Sequence, residues 1–200
     1  MSHRIAVMEN FITPEDAALL IEEQLRPSEV NPYPEYYKER FGGTAFPYNE
    51  RVMNVLRKYG WKSNAMHKTL NGFQNPIYVF KSFGSMWDPG SSGDLHGDAV
   101  GPEPFIEFST IIYLNDPSEY DGGLIYFPNQ GVEIKPKQYS AVFFPSAGME
   151  YIHGVTTITS GMRHTALYMH TSLPHHLDPD FAEPGVSTDW EATLHKNVGL

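Results

Sequence analysis

The chain has 200 residues, 40% of them hydrophobic and 19% charged, which is the make-up of a globular protein long enough to bury a real core and leaves no long segment expected to be disordered. Its formal net charge of −10 works against sequence-independent nucleic-acid binding, which needs clustered Lys and Arg to displace counterions, so no nucleic-acid partner is expected. It has no cysteine, which removes disulfides and thiolate metal sites and leaves His, Asp and Glu as the strong metal ligands.

At the N-terminus, positions 1–10 lack the apolar core of a signal peptide, and no apolar run reaches the ~18 residues that cross a membrane. A cytoplasmic protein without membrane association is the expectation. Thr13 then reads as a helix N-cap, with Pro14 at the first helical position. Ala17, Leu20, Ile21 and Leu25 recur at helical spacing until Pro27 ends the pattern. The stretch Asn31–Tyr48 is rich in Pro, Tyr and Gly and reads as a loop. A second helix is predicted over Asn49–Tyr59, with Gly60 at its C-terminal end.

From Pro76 onward the texture changes to short β-branched and aromatic runs. Ile77–Phe83, Phe105–Leu114, Leu124–Phe127, Val132–Ile134, Ala141–Phe144, Ile152–Val155 and Met162–His170 are separated by turn signals such as Asn115-Asp116-Pro117 and Asp121-Gly122-Gly123. Such spacing predicts a mainly β sandwich or barrel buttressed by the N-terminal helices. The organisation expected is one domain: helical support and loop over 1–75, a β core over 76–172, and an irregular cover over 173–200.

Nine histidines and 24 acidic residues give about one His-x-Asp/Glu triplet by chance, so the triplet alone decides nothing. Two are present, His96-Gly97-Asp98 and His176-Leu177-Asp178. The first follows a Gly/Ser-rich loop and precedes the strongest strand. The second lies in a Pro-rich tail, with only His195 beyond it. Residues two apart on an extended segment face the same way, so His96 and Asp98 can share a metal with a His from a later strand. His153 is that residue. Together they form a 2-His-1-carboxylate triad, which leaves positions open for a chelating cosubstrate and oxygen. Ten positions after His153, on the next predicted strand, Arg163 can hold the far carboxylate of a dicarboxylic keto acid in a bidentate manner. Thr165 shares its strand face; His164 and His170 point the other way and are not counted as ligands.

With these residues in place, the segment from Ile77 to Thr171 resembles the prolyl 4-hydroxylase-like branch of the Fe(II)/2-oxoglutarate-dependent dioxygenases. Ile111-Ile112-Tyr113-Leu114-Asn115 resembles the family's strand after the His-x-Asp motif. Gly122-Gly123-Leu124-Ile125-Tyr126-Phe127-Pro128 resembles its Gly-Gly turn, Ile134–Pro145 the approach to the distal His, and Gly161-Met162-Arg163 the keto-acid strand. The resemblance implies a double-stranded β-helix (jelly-roll) core with Fe(II), 2-oxoglutarate and O2 at its mouth and ascorbate as reductant. It further implies that Tyr113 assists Arg163, that Ile111 and Val155 line the cosubstrate pocket, and that Tyr78 contributes from the first core strand. An Asp at position 98 favours hydroxylation over halogenation, since related halogenases carry a small residue there. The chain departs from the family at Phe83–Gly93, a Gly-rich stretch where a Tyr-bearing strand ordinarily leads straight to the His. It reads as a loop that, with Asn31–Tyr48, either closes over substrate or merely fills space beside the barrel. The substrate implied is a peptidyl proline, with a free amino acid or other small molecule as the alternative. A cupin-type or metal-free jelly-roll binding module shares the barrel, but the His-x-His pair of cupins is absent and Arg163 goes unexplained.

Overall fold

The structure, a computed structural model, describes residues 4–25, 46 and 49–184. The loop read at Asn31–Tyr48 falls, apart from Phe46, outside the described residues, as does the tail from residue 185.

Helix α1 spans Pro14–Leu25. Thr13 caps it as expected: its Oγ1 accepts from the Asp16 amide at 3.3 Å. Helix α2 spans Glu50–Asn71 and is capped by Asn49, whose side chain accepts from the Val52 amide. It is twice the expected length because Gly60 does not end it. Gly60 is instead a contact point, where a Cβ would lie 2.9 Å from Val79 Cγ2 and 3.2 Å from the Phe181 ring. The missing side chain lets the helix press onto the sheet. The helix stops at Gly72, whose left-handed φ of 63° makes the C-cap.

The strands are β1 Ala6–Met8, β2 Tyr78–Trp87, β3 Gly93–His96, β4 Phe108–Tyr113, β5 Tyr120–Asp121, β6 Ile125–Phe127, β7 Val132–Ile134, β8 Ala141–Pro145, β9 His153–Val155, β10 Ser160–Gly161 and β11 Arg163–Thr171. Five form one sheet in the order β1-β8-β4-β11-β2, four form a second in the order β3-β9-β6-β7, and β5 pairs with β10. All pairings are antiparallel. The two larger sheets make the jelly-roll core. The loop reading of Phe83–Gly93 fails in its first half: β2 runs on through Trp87, held residue by residue against β11 with Arg163 opposite Trp87.

The five-stranded sheet is buried on both faces. Its outer face packs on α1 and α2 through Val79, Ile112, Phe143, Ala166 and Tyr168. Its inner face meets the second sheet through Trp87, Ile111, Tyr113, Val142 and Phe144, with Ile125, Phe127 and Val155 across from them. This is why every residue of β4, and all of β8 but its last, is buried, with no alternation of buried and exposed positions. Helix α1 is tied to the strand that matters most for the site. Gln24 donates from Nε2 to the Thr165 carbonyl at 3.0 Å, and its Oε1 lies 2.8 Å from His164 Nδ1. Among the described residues, no helix is long and apolar enough to cross a membrane.

Candidate metal centre and active site

His96 ends β3, and its partner across the ladder is His153, the first residue of β9. The pairing brings the two rings to 4.5 Å between centroids. Asp98 turns back beside them, with Oδ1 at 3.5 Å from His96 Nε2 and 3.8 Å from His153 Nε2. The three donor atoms lie within 4.8 Å of one another, and no other such group of His, Asp and Glu occurs among the described residues.

Both histidines are oriented to offer Nε2. His96 Nδ1 lies 2.7 Å from the Asp94 carbonyl oxygen, and His153 Nδ1 lies 3.2 Å from that of Tyr151. A carbonyl can only accept, so each neutral ring carries its proton on Nδ1 and keeps a lone pair on Nε2. His153 is packed edge-on by Phe144, 4.7 Å away. Burial lowers its pKa, against the pull of the Asp98 carboxylate, and the ring stays neutral. For Asp98, burial alone would raise the pKa. The adjacent His153 and His96, with a hydrogen bond from Ser109, outweigh it and hold the carboxyl well below the usual carboxylate range. Two neutral imidazoles and one carboxylate suit a first-row divalent metal. Ligand bonds of about 2.0–2.2 Å at adjacent positions put donors about 3 Å apart, so a slight contraction of these side chains closes the set.

The triad opens into a cavity of about 390 Å³ that reaches inward to Arg163. Residues of the core strands line it, among them Ser85 and Trp87 from β2, Arg163 and Thr165 from β11, Ile111 from β4 and Val155 from β9. Arg163 is 2% exposed. Its guanidinium lies between the rings of Trp87, at 5.1 Å, and Tyr113, at 5.0 Å, and donates to the Tyr113 hydroxyl at 3.2 Å. Its Nε has no hydrogen-bond partner, and no carboxylate of the described residues pairs with it. A buried cation without its counter-ion is costly, and this one is arranged to receive an anion. Burial raises the pKa of Tyr113, with Arg163 opposing, so the phenol keeps a proton to donate.

The structure thus brings His96, Asp98, His153, Arg163, Thr165, Ile111 and Val155 to one cavity, with Tyr113 bonded to Arg163 beneath it. Tyr78 does not join them. It pairs with Thr171 at the opposite end of the β2–β11 ladder from Arg163, about 30 Å from Trp87 at the usual rise per residue. Trp87 occupies the place beside Arg163 instead, because β2 extends beyond its expected end. Among the described residues the competing triplet forms no metal-ligand group: His176 stacks on Phe105 at 3.6 Å, and Asp178 caps a 3-10 turn. Four residues of the site went unread in the sequence. Trp87 and Ser85 become visible once β2 is extended and its alternation followed; Ser109 and Ser146 carry no pattern of their own.

Residues 83–170 match the model of the 2OG-Fe(II) oxygenase superfamily. Over these residues the chain is similar to that superfamily. Over 82 residues it is 34% identical to a PKHD-type hydroxylase of Hyphomonas neptunium, covering 37% of this chain and 35% of that one. Over 136 residues it is 26% identical to a PKHD-type hydroxylase of Gluconobacter oxydans, covering 64% and 59% of the two chains. The chain therefore spans between about a third and three fifths of the length of these curated relatives. In fold it is similar to the viral collagen prolyl hydroxylase of Paramecium Bursaria Chlorella virus-1 in its 2OG complex. The TM-score is 0.63 at 18% identity, covering 85% of this chain and 96% of that one. The oxygenase match covers the second half of β2, β3 to β10 entire and nearly all of β11, and so contains the whole triad and Arg163.

Proposed function

We propose that the chain is an Fe(II)- and 2-oxoglutarate-dependent hydroxylase of the prolyl 4-hydroxylase-like kind, acting on a peptidyl proline. The observation that carries this reading is Arg163, buried and without a carboxylate partner among the described residues, in the same cavity as His96, Asp98 and His153.

A dicarboxylic keto acid matches that distribution of charge. Arg163 would take one carboxylate through its unspent N–H groups, and the Tyr113 hydroxyl would add a donor to it. The Thr165 hydroxyl faces the same space. Ile111 and Val155 flank the passage and keep water from the charged ends. His96, His153 and Asp98 would hold the metal from one side through two neutral nitrogens and one carboxylate oxygen, leaving adjacent positions open. When bound, Fe(II) and 2-oxoglutarate supply oxygen activation coupled to decarboxylation, which yields succinate and a hydroxylated C–H bond. Leu95 and Val100, half-exposed apolar side chains at the cavity mouth, suit the apolar ring of a proline. The fold likeness to a collagen prolyl hydroxylase supports a peptide over a free amino acid.

The test is succinate release in the presence of Fe(II), 2-oxoglutarate, oxygen and ascorbate, with proline-containing peptides and free amino acids offered side by side. Peptide-stimulated succinate together with hydroxyproline in the peptide is expected. Stimulation by a free amino acid but by no peptide moves the substrate class; no succinate under any condition removes the assignment.

A further inference from the structure

Asp98 is gripped from behind. Its Oδ1 faces the two imidazoles, while Oδ2 points across the barrel to the opposite sheet. There Ser109 Oγ, on β4, donates to Oδ2 at 2.5 Å. Ser146, just past β8, donates to Ser109 Oγ at 2.7 Å and lies 3.2 Å from the same Oδ2. Both serines are 3% exposed. Ser146 is itself fixed by its backbone, whose amide donates to the Glu107 carbonyl at 2.8 Å. The inward positions after Ser109 on the same strand are Ile111 and Tyr113, both in the inter-sheet core. A serine in that row finds the acceptor for its own proton in Asp98.

We infer that Ser109 and Ser146 are positioning residues that hold Asp98 as a one-oxygen metal ligand. This rests on the metal site proposed above. A free carboxylate can close on a metal with both oxygens and fill two positions. With Oδ2 accepting from Ser109, whose own oxygen accepts from Ser146, Asp98 offers Oδ1 alone, and the position that Oδ2 would fill stays open for cosubstrate or oxygen. The triad is also locked across the barrel. His96 and His153 come from the four-stranded sheet, and the serines fasten Asp98 to the five-stranded one.

The test is titration of the metal-free, full chain with Co(II), following heat and the visible absorption of the bound ion. In Ser109→Ala/Ser146→Ala the affinity is expected to fall by about 10–100-fold, as for other partners of metal ligands, and the absorption bands to shift as Oδ2 is released. Ser109→Thr keeps the hydroxyl and is expected to retain wild-type affinity and bands. Unchanged affinity and bands in the double variant overturn the inference, and so does a loss in Ser109→Thr equal to that in the double variant. If the double variant does not fold, Ser146→Ala alone decides: shifted bands support the inference, and wild-type bands and affinity overturn it. A wild-type chain that takes up no Co(II) overturns the metal site itself, a failure distinct from the others.

Discussion

Arg163 is a guanidinium with almost no exposed surface, and its partners explain how it is held. The Trp87 and Tyr113 rings flank the guanidinium, the Tyr113 hydroxyl accepts one of its N–H groups, and its Nε is left for an anion. Replacing Arg163 with Ala is expected to raise the KM for 2-oxoglutarate by roughly 10–100-fold, the worth of a charge-assisted hydrogen bond. Co(II) affinity, read by calorimetry, is expected to stay within a few-fold of wild type, because no ligand of the triad touches Arg163. Trp87→Ala removes one face of the stack and should raise the same KM about 2–30-fold, the range of a desolvated cation–π contact. A KM unchanged in both variants would remove Arg163 from the cosubstrate site. At this scale the sequence was legible wherever order and spacing carried chemistry. His96 on β3, Asp98 in the turn after it, His153 on β9 and Arg163 on β11 arrive in that order, and only that order separates them from His176-Leu177-Asp178. Trp87 was hidden behind the glycines that follow it. Ser109 and Ser146 were hidden because a lone serine in an apolar strand says nothing until the carboxylate it serves is placed.

At the scale of elements, the core strands were legible from their β-branched and aromatic runs, and most bounds differ by one to three residues. The two larger misses have one cause: glycine was read as an end where it is a place of close approach or the start of a loop. Gly60 lies inside α2, where the helix touches β2 and the Phe181 turn. The Gly/Ser segment after Trp87 is a short connection between two strands, and β2 runs to its edge. Propensity alone favours Gly60→Ala by about 1 kcal/mol in a helix interior. Contact decides otherwise: the added Cβ would sit 2.9 Å from Val79 Cγ2, and overpacking of this kind costs about 1–3 kcal/mol. A lowered melting temperature is expected for Gly60→Ala, and a raised one would show that α2 and β2 can separate freely.

Across the whole molecule, the five-stranded sheet divides two interiors of different character. One face looks across to the metal site on the four-stranded sheet. The other, beneath α2, buries a chain of polar groups: His67 Nε2 to Thr110 Oγ1 at 2.9 Å, Thr110 Oγ1 to His170 Nε2 at 3.1 Å, and His170 Nδ1 to Asn64 Oδ1 at 2.9 Å. Burial pushes His67 from its ordinary 6.5 down to about 3, opposed by a backbone bond at Ser109. His170 is held well below its ordinary value by burial and then by His67. Both are neutral when folded, and both take up a proton in the unfolded chain below about pH 6.5. Between about pH 6.5 and pH 3 the unfolded state therefore binds more protons, and stability falls as pH falls. Thermal melts of the metal-free chain should show a melting temperature that is steady above pH 7 and declines below pH 6; a profile flat to pH 4 would contradict the neutral pair.

The central claim, that the triad and Arg163 form one Fe(II) and 2-oxoglutarate site, is tested most directly without turnover. Anaerobic protein loaded with Fe(II) is titrated with 2-oxoglutarate and followed by visible absorption. A saturable charge-transfer band is expected in the wild type, at higher 2-oxoglutarate in Arg163→Ala, and not at all in His153→Ala. No band in the wild type, or the same band in His153→Ala, would contradict the account.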